Sequence, residues 1–227
     1  MVANGYKQNN ADHTLFVKRV GQHITILIVY VDDIVITGSD TQEIQKLKTY
    51  LGTEFEVKDL GTLRYFLGIQ VAYSAKGISL SQRKYTLDLL SDTGMLGCKP
   101  VDTPLKPNTH LKNIAFAVSV VSQFMLNSHS SHLEAAYRIL RYLKSSFGKG
   151  VLYSSHSHLR VEAYTDVDWH DRRSTSRYYT YVGGNLTTWR SKKQAMVARS
   201  SVIAEFRTIA QGICELLCLK GLLQDLG

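Results

Sequence analysis

The chain has 227 residues, 44% of them hydrophobic, which is enough to form the core of one large or two small domains. Its formal net charge of +8 favours a polyanionic partner, although many basic proteins bind no nucleic acid. The three cysteines lack metal-ligand spacing, and their odd number indicates a reducing compartment. We expect Cys214 and Cys218 to be small core residues.

No segment is long and uncharged enough to cross a membrane, because the best candidate contains two adjacent aspartates. The sequence also begins without a recognisable targeting pattern. We therefore expect a cytoplasmic or nuclear protein that has no membrane partner.

The first predicted elements are three strands. Residues 14–18 and 24–31 are rich in Val, Ile and Thr and are joined through Gly21, and residues 34–37 return after a turn. The near-continuous apolar run of the second strand predicts burial on both faces.

Asp32 and Asp33 lie between the second and third predicted strands, directly after Tyr30 and Val31. Adjacent carboxylates repel each other, and burying them is costly unless another charge compensates them. A divalent cation would do so, and oxygen ligands suit Mg²⁺. The residues alone leave a second interpretation open, a solvated hairpin turn, because Asp tolerates turn geometry.

A helix follows, with a capping box formed by Asp40 and Glu43 and an apolar face made of Ile44, Leu47 and Leu51. Residues 55–60 and 63–72 then predict a strand pair broken by Gly61, and residues 77–80 predict a short strand. Ser81 is placed to cap a further helix, whose apolar positions are Tyr85, Leu89 and Leu90. This alternation indicates an α+β domain.

Residues 97–113 contain all three prolines of the chain and predict a linker. Helical patterns follow at about 114–125 and 131–143. In the second helix, Arg138, Arg141 and Lys144 point outward, opposite an inward face of Ala135, Ile139, Leu140 and Leu143. Such a basic face either is only solvated or contacts phosphates.

A second αβ unit begins at Val151. Residues 159–166 predict a strand, and residues 178–182 and 186–189 predict a hairpin around Gly183-Gly184-Asn185. A long helix starts at Ser200 or Ser201 and reaches about residue 226. Its predicted apolar side consists of Ile209, Ile213, Leu216, Leu217 and Leu223.

Several motifs together resemble one family. Tyr30-Val31-Asp32-Asp33 between apolar strands is similar to the catalytic hairpin of reverse transcriptases, and residues 38–40, 58–61, 65–69, 80–85 and 99–104 resemble copia-type retrotransposon polymerases. Residues 164–169, 173–176, 189–194 and 200–206 resemble the ribonuclease H region of the same Pol polyproteins. The resemblance covers nearly the whole chain.

The resemblance implies an α+β reverse-transcriptase palm and thumb portion followed by a partial ribonuclease H-like α/β domain. Residues 1–96 would be palm and the start of the thumb, residues 97–150 a linker with thumb or connection helices, and residues 151–227 the first half of the ribonuclease H-like domain. The relatives imply an RNA-directed DNA polymerase with ribonuclease H, both acting by two-metal phosphoryl transfer.

The resemblance also assigns roles to residues. Asp32 and Asp33 would bind Mg²⁺, or Mn²⁺, and Tyr30 would lie beneath the primer end. Asp166, on a central strand, would face Glu205 on the long helix as a second metal site, while a ligand role for Asp168 is left open. Without the resemblance, Asp166 and Asp168 read as surface acids and Glu205 as an ion-pair partner of Arg199 or Arg207.

The implied partners are an RNA template, a DNA primer, deoxynucleoside triphosphates and an RNA/DNA hybrid. Arg138 and Arg141 would contact phosphates. Lys192 and Lys193, with the neighbouring Arg190, Arg199 and Trp189, would contact the hybrid or simply solvate a surface. The oligomeric state is left open.

The sequence departs from the family at several positions. We expect that the palm strand carrying a third aspartate precedes this chain and that the later acidic motifs of the nuclease follow it; Asp12 does not match the missing motif. We also expect that a segment is deleted at residues 112–114. Position 177 is Arg where the family commonly has Gly, and position 203 is Ile where Glu or Ala is common nearby.

These departures predict a fragment that is inactive alone, since two carboxylates rarely hold two Mg²⁺ ions. Two alternatives remain open. One is a catalytically dead remnant that binds nucleic acid nonspecifically. The other is the unstable product of a decayed reading frame, which would expose sheet edges and apolar faces.

Overall fold

The computed structural model describes residues 1, 4–105, 114–169 and 174–226. Within them the chain forms three antiparallel sheets, two with four strands and one with three. The three sheets are separate, so each builds its own local layer with the helices that pack on it.

The first sheet has the order β1-β2-β3-β4. Its strands are β1 Lys7–Gln8, β2 Leu15–Val20, β3 His23–Tyr30 and β4 Asp33–Gly38, and α1 Thr41–Glu54 follows. The three strands predicted here are confirmed. The expected burial on both faces is wrong, because in β3 only Thr25 and Leu27 are fully buried and they alternate with partly exposed residues. This is the pattern of a half-buried antiparallel sheet.

Only one of the two hydrogen bonds of the capping box predicted for α1 is formed. The Asp40 carboxylate accepts a hydrogen bond of 2.9 Å from the backbone N–H of Glu43, as expected for an N-cap. The Glu43 carboxylate instead accepts hydrogen bonds from the Lys18 ammonium at 2.7 Å and the Tyr6 hydroxyl at 3.2 Å. Glu43 therefore ties α1 to the first sheet. On the predicted apolar face of α1, Leu47 is buried, as is Leu51 one turn later.

The second sheet has the order β5-β6-β7-β8, with β5 Tyr65–Phe66, β6 Ile69–Ser74, β7 Gly77–Ser81 and β8 Gly150–Tyr153. The strand predicted over residues 55–60 is wrong, since residues 56–64 contain no helix or strand. Asp59 instead accepts a 2.8 Å hydrogen bond from the N–H of Gly61 and pairs with Lys48 at 3.0 Å. A side-chain turn here outweighs the β propensity of the apolar residues.

The predicted boundary at residue 151 falls inside the second sheet. Val151 lies in β8, whose backbone pairs with β7 in the register Leu80↔Val151. The chain thus returns to the second sheet before it begins the third, and the helices described between residues 83 and 146 lie between two strands of one sheet.

Among the described residues, three α-helices and a short 3-10 helix, Met125–Asn127, lie between β7 and β8. The α-helices are α2 Arg83–Asp92, α3 Ile114–Ser122 and α4 Ser130–Ser146, and α4 contacts both of the others. Gln82, not the predicted Ser81, is the N-cap residue of α2. Residues 97–105 contain no helix or strand, as predicted for the linker. The remainder of that linker, with the proposed deletion at residues 112–113, lies outside the described residues.

The third sheet has the order β11-β10-β9, with β9 Val161–Asp168, β10 Thr175–Val182 and β11 Asn185–Lys193, and it packs on α5 Ser201–Leu226. Gly183 and Gly184 connect β10 to β11 with φ angles of +56° and +76°. Two consecutive positive φ values are typical of the type I′ hairpin turn, so the predicted hairpin is confirmed.

The predicted apolar side of α5 is wrong for three of its five residues, whereas Leu216 and Leu223 are partly buried. Ile209, Ile213 and Leu217 are 44%, 50% and 63% exposed, and Cys214 and Cys218 are exposed rather than core residues. The residues buried against the sheet are mostly small, namely Ala204, Thr208, Gly212 and Leu219. Small residues are required because the helix approaches β9 closely: a Cβ on Gly212 would lie 2.7 Å from Cγ2 of Thr165.

Candidate functional site

The two adjacent aspartates lie at the tip of the β3–β4 hairpin. Tyr30 pairs with Asp33 as the last pair of the ladder, so Val31 and Asp32 alone form the turn. A two-residue connection fixes the register of both strands, and therefore fixes where the two carboxylates emerge.

Val31 has a left-handed backbone, with φ of +48°, and its side chain is 82% exposed. This conformation is unfavourable for a β-branched residue, and tight hairpin turns ordinarily place Gly, Asn or Asp there. Strain of this kind occurs mainly at functional sites, where the surrounding structure imposes it. Here the ladder of β3 and β4 holds the strained residue beside the two carboxylates.

Both carboxylates face solvent. Among the residues that the structure describes, neither the Asp32 nor the Asp33 side chain has a hydrogen-bond or ion-pair partner. Tyr30, immediately before the turn, is half-exposed. Unpartnered carboxylate oxygens on two consecutive residues are the type of ligand that suits a hard cation such as Mg²⁺.

The tip does not by itself form a complete metal site. Within the described ranges, no group of three or more His, Cys, Asp or Glu side chains is placed to hold an ion. Asp12 lies in the loop between β1 and β2, where its carboxylate accepts hydrogen bonds from the N–H and the hydroxyl of Thr14. The prediction that Asp12 is not the third acid is consistent with this role in a turn.

A packed layer supports the hairpin from below. Tyr6, Leu27, Leu47 and Leu51 form the buried cluster between the sheet and α1. The hydrogen bond from Lys18 holds the pKa of the Glu43 carboxyl below its ordinary value, although burial acts in the opposite direction. Burial, and then the negative charge of Glu43, raise the pKa of the Tyr6 hydroxyl well above its ordinary range.

The second predicted acidic site is arranged differently from the expectation. Asp166 and Asp168 lie on β9, which is an edge strand of the third sheet as described, not a central one. Thr165 faces α5, where it meets Gly212, and side chains alternate along a strand, so the neighbouring Asp166 lies on the other face. Asp166 therefore projects away from the helix that carries Glu205.

Contacts of β10 confirm this assignment of faces. Ser176 and Tyr178 point toward α5, where they bond to Thr208 at 2.8 Å and to Glu215 at 3.0 Å. Arg177, between them, points away and contacts Asp166 at 3.1 Å and Asp168 at 3.5 Å. The expected pairing of Asp166 with Glu205 across a shared site is not formed, and the role of these two acids as ligands stays a prediction.

The predicted phosphate-binding arginines of α4 have separate environments. Arg138 is partly buried and donates a 2.8 Å hydrogen bond to the Thr103 hydroxyl, while Arg141 is exposed. Lys144 donates to the carbonyls of Leu96 and Cys98, the latter at 2.7 Å. Arg138 and Lys144 thus hold the linker against α4, which corrects the prediction that they point freely outward. Arg141 remains available to a partner.

The basic residues of β11 lie on both faces of the third sheet. Lys192 pairs with Ser176 and Lys193 pairs with Thr175, so the two adjacent lysines point to opposite faces. Lys192 lies on the side of α5, and Lys193 lies on the side of Trp189. Both lysines are exposed, but they do not form the single patch with Trp189 that the sequence predicted.

Two features of these sites were missed by sequence reasoning. The left-handed Val31 follows from a hairpin with only two connecting residues and no glycine, a signal that is present in the sequence. The pairing of Arg177 with the acids of β9 depends on the strand register, which no sequence pattern here specifies.

Comparison with known proteins supports the family interpretation. A family model described as reverse transcriptase (RNA-dependent DNA polymerase) matches residues 1–107, which include the β3–β4 hairpin. The retrovirus-related Pol polyprotein from transposon RE1 of Arabidopsis thaliana is 37% identical over 98% of this chain. An uncharacterized mitochondrial protein of the same plant is 35% identical, with 84% of this chain and 92% of that protein aligned. The chain belongs to the reverse transcriptase family of copia-type retrotransposons.

The similarity to Pol polyproteins extends beyond the reverse-transcriptase match. The polyprotein from transposon TNT 1-94 of Nicotiana tabacum is 30% identical over 100% of this chain. The chain spans 17% of the length of the RE1 polyprotein and 20% of the TNT 1-94 polyprotein. No solved structure matches it.

The alignment with RE1 runs over 255 positions, more than the 227 residues of the chain, so that relative has residues without a counterpart here. The location of the missing residues at 112–114 stays a prediction. Among the described residues, no helix is both long and apolar enough to span a membrane.

Proposed function

We propose that residues 1–96 form part of the palm and the start of the thumb of a retrotransposon RNA-directed DNA polymerase, with Asp32 and Asp33 as metal-binding carboxylates. The observation that carries this proposal is the unpartnered acidic pair at a strained two-residue hairpin tip. The match of residues 1–107 to the reverse transcriptase family supports it.

In this proposal Asp32 and Asp33 hold Mg²⁺, or Mn²⁺, together with acids that other parts of the enzyme supply. When bound, the cation would neutralise charge at the primer hydroxyl and at the phosphates of the incoming nucleotide. The residues of this chain would position those groups: the pairing of β3 with β4 fixes where the carboxylates emerge, and the half-exposed Tyr30 would contact the primer end.

The β5–β6 hairpin is a second element of this proposal, as a support for the primer. Leu67 and Gly68 form its turn, and Leu67 has a left-handed backbone with φ of +49°. Like Val31, it is a strained, exposed apolar residue at a hairpin tip. The partners of the intact enzyme would be an RNA template, a DNA primer and deoxynucleoside triphosphates.

We also propose that residues 161–226 correspond to the beginning of a ribonuclease H-like unit that binds an RNA/DNA hybrid. The succession of three antiparallel strands and one long helix supports this assignment. Asp166 and Glu205 are its proposed acids, but their side chains lie on different sides of the sheet. The described residues therefore do not fit a shared cation between them.

A noncatalytic role is the alternative function. The net charge of +8 and the exposed Arg141 and Lys192 favour nonspecific contact with a nucleic-acid backbone. Binding of a primer–template that weakens steeply with salt, and that is unchanged in Asp32→Asn, would favour this alternative over the polymerase proposal.

The proposal is tested by titrating the isotope-labelled chain with Mn²⁺ and recording the broadening of its amide NMR signals. We expect the signals of residues 30–34 to broaden first, and this effect to disappear in the Asp32→Asn/Asp33→Asn variant. Asp12→Asn is the matched control, because that carboxylate is exposed but already accepts hydrogen bonds from Thr14. Equal broadening in the double variant would contradict the proposal.

A further inference from the structure

The face of the third sheet that points away from α5 carries a row of acids, which we call the outer face. Glu162, Asp166 and Asp168 alternate along β9 on this face, with Tyr164 among them. Arg177 lies on the same face, directly opposite Asp166 in the neighbouring strand. The acids of the outer face are therefore next to a cation that belongs to the chain itself.

Arg177 contacts two of these acids at once. Its Nη1 lies 3.1 Å from Oδ2 of Asp166 and its Nη2 lies 3.5 Å from Oδ2 of Asp168. The arginine side chain is 19% exposed, whereas that of Asp166 is 61% exposed. The guanidinium thus lies between the two carboxylates, in the position that a bridging ion would need.

The third acid of the row is also paired. The Glu162 carboxylate accepts hydrogen bonds from the Arg160 guanidinium, one of them 3.0 Å long from Nε. Tyr164, between Glu162 and Asp166, packs edge-on against Tyr181. Every acid of the outer face in β9 therefore has an arginine partner, in contrast to Asp32 and Asp33, which have none among the described residues.

Among the described residues, no further acid joins this row to complete a cation site. Glu205 lies on α5, on the opposite side of the sheet, and position 203, in the same turn of that helix, is the apolar Ile203. The described part of the chain holds no group of three His, Cys, Asp or Glu side chains that could bind an ion. A divalent cation would have to displace Arg177 to reach two carboxylates, and Mg²⁺ gives up its waters reluctantly.

We propose that Arg177 takes the place of a divalent cation between Asp166 and Asp168, so that this acidic row is neutralised internally and binds no metal. The third sheet would then be stabilised without cations, and this unit would not cleave an RNA/DNA hybrid. The inference concerns only the outer face and does not depend on the polymerase proposal for Asp32 and Asp33.

The experiment compares the full chain with Arg177→Met, which removes the charge but keeps an unbranched apolar stem, and with Arg177→Lys, which keeps a positive charge. Each is titrated with Mn²⁺ while the NMR signals of residues 164–168 are followed, and its melting temperature is measured with and without Mg²⁺. The signals of residues 30–34 test the metal-binding proposal for Asp32 and Asp33, and those of residues 164–168 test the inference about Arg177. The failure of one can therefore be distinguished from the failure of the other.

In the unmodified chain and in Arg177→Lys, we expect no cation-dependent broadening at residues 164–168 and no contribution of Asp166 to any melting shift. In Arg177→Met, the same signals should broaden at Mn²⁺ concentrations at least about tenfold below the highest one that leaves them unchanged in the unmodified chain, since two carboxylates lose their compensating charge. Adding Asp166→Asn to Arg177→Met should abolish this gain.

Broadening at residues 164–168 in the unmodified chain that disappears in Asp166→Asn would overturn the inference. A folded Arg177→Met variant with no gain in Mn²⁺ response would overturn it too. If Arg177→Met does not fold, the unmodified chain is compared with Asp166→Asn instead. The inference requires that the two respond equally to Mn²⁺ and Mg²⁺, and a weaker response of Asp166→Asn would overturn it.

Discussion

At the scale of single residues, the backbone of Val31 is the most unusual feature near the candidate site. A left-handed conformation costs a β-branched residue about 1–2 kcal/mol. The strain persists because β3 and β4 pair on both sides of the turn and leave only two residues to connect them. The position of the carboxylates is therefore maintained at the expense of stability.

Val31→Asn should raise the free energy of unfolding by about 1 kcal/mol, because Asn adopts the left-handed region more readily. Chemical denaturation measures this change. Val20→Asn is the matched control, since Val20 is also an exposed valine of the first sheet but lacks a positive φ. A loss of stability in Val31→Asn equal to that in Val20→Asn would show that the turn is not strained.

The Glu43 ion pair makes part of the stability depend on pH. Because Lys18 lowers the pKa of Glu43 in the folded chain, this stabilisation is complete above the ordinary value of 4.5 and is lost as the pH falls through the lower, folded pKa. Glu43→Gln should reduce the free energy of unfolding by about 1–2 kcal/mol at neutral pH. The difference should shrink below the ordinary pKa of 4.5.

Urea denaturation at several pH values measures this dependence. Glu54→Gln, at the exposed end of α1, is the control and should change stability little at any pH. A Glu43→Gln deficit that stays constant down to about pH 3 would mean that the ion pair with Lys18 contributes nothing to the pH dependence.

At the scale of elements, the sequence predicted what local patterns determine. The β-branched runs of β3 and β4 and the Gly183-Gly184 turn carry their own conformational preferences, and those elements were predicted correctly. The strand prediction for residues 55–60 was wrong because the apolar residues there remain exposed: Leu60, for example, is 82% exposed. Propensity without a partner strand does not form a strand.

The face of α5 was misassigned for a different reason. Its apolar residues occur on more than one side of the helix, and the sheet selects the side that lets the backbones approach closely. Gly212 and Ala204 permit that approach, while Ile209 and Ile213 do not. Close packing is a property of the helix and the sheet together, so helical periodicity alone could not identify it.

Gly212→Ala should therefore destabilise the third sheet by about 1–3 kcal/mol, since the new methyl group would lie 2.7 Å from Thr165. Gly221→Ala, in the same helix with open space around it, should instead stabilise by about 0.5–1 kcal/mol. Thermal unfolding of both variants gives the comparison. Equal stabilisation by the two substitutions would show that α5 does not pack closely on β9.

At the scale of the whole molecule, the last turn of α5 contacts the first sheet. Asp225 accepts a 2.6 Å hydrogen bond from Asn9 and lies 3.5 Å from the Lys7 ammonium. The Arg19 guanidinium donates to the carbonyl of Leu226. These contacts join the two ends of the chain, and no local sequence pattern indicates them.

Of the two pairs of acids in the candidate sites, the sequence could establish the proximity of one pair only. Asp32 and Asp33 are adjacent in sequence, so their proximity needed no knowledge of the fold, whereas the distance between Asp166 and Glu205 depends on which face of the sheet each one occupies. The family resemblance named both pairs of acids, but Asp166 and Glu205 lie on different sides of the third sheet. The polymerase assignment therefore rests on the first sheet.

Primer extension is the most direct test of that assignment. At the hairpin tip, the described residues offer only the carboxylates of Asp32 and Asp33 as metal ligands. The chain alone should therefore incorporate no nucleotide on a primed RNA template with Mg²⁺ or Mn²⁺. A chimera in which residues 1–105 replace the matching segment of the RE1 polyprotein should extend the primer. Asp32→Asn or Asp33→Asn should reduce its rate by about 100-fold or more, and Asp12→Asn should not. Undiminished extension by the Asp32→Asn/Asp33→Asn chimera would contradict the account.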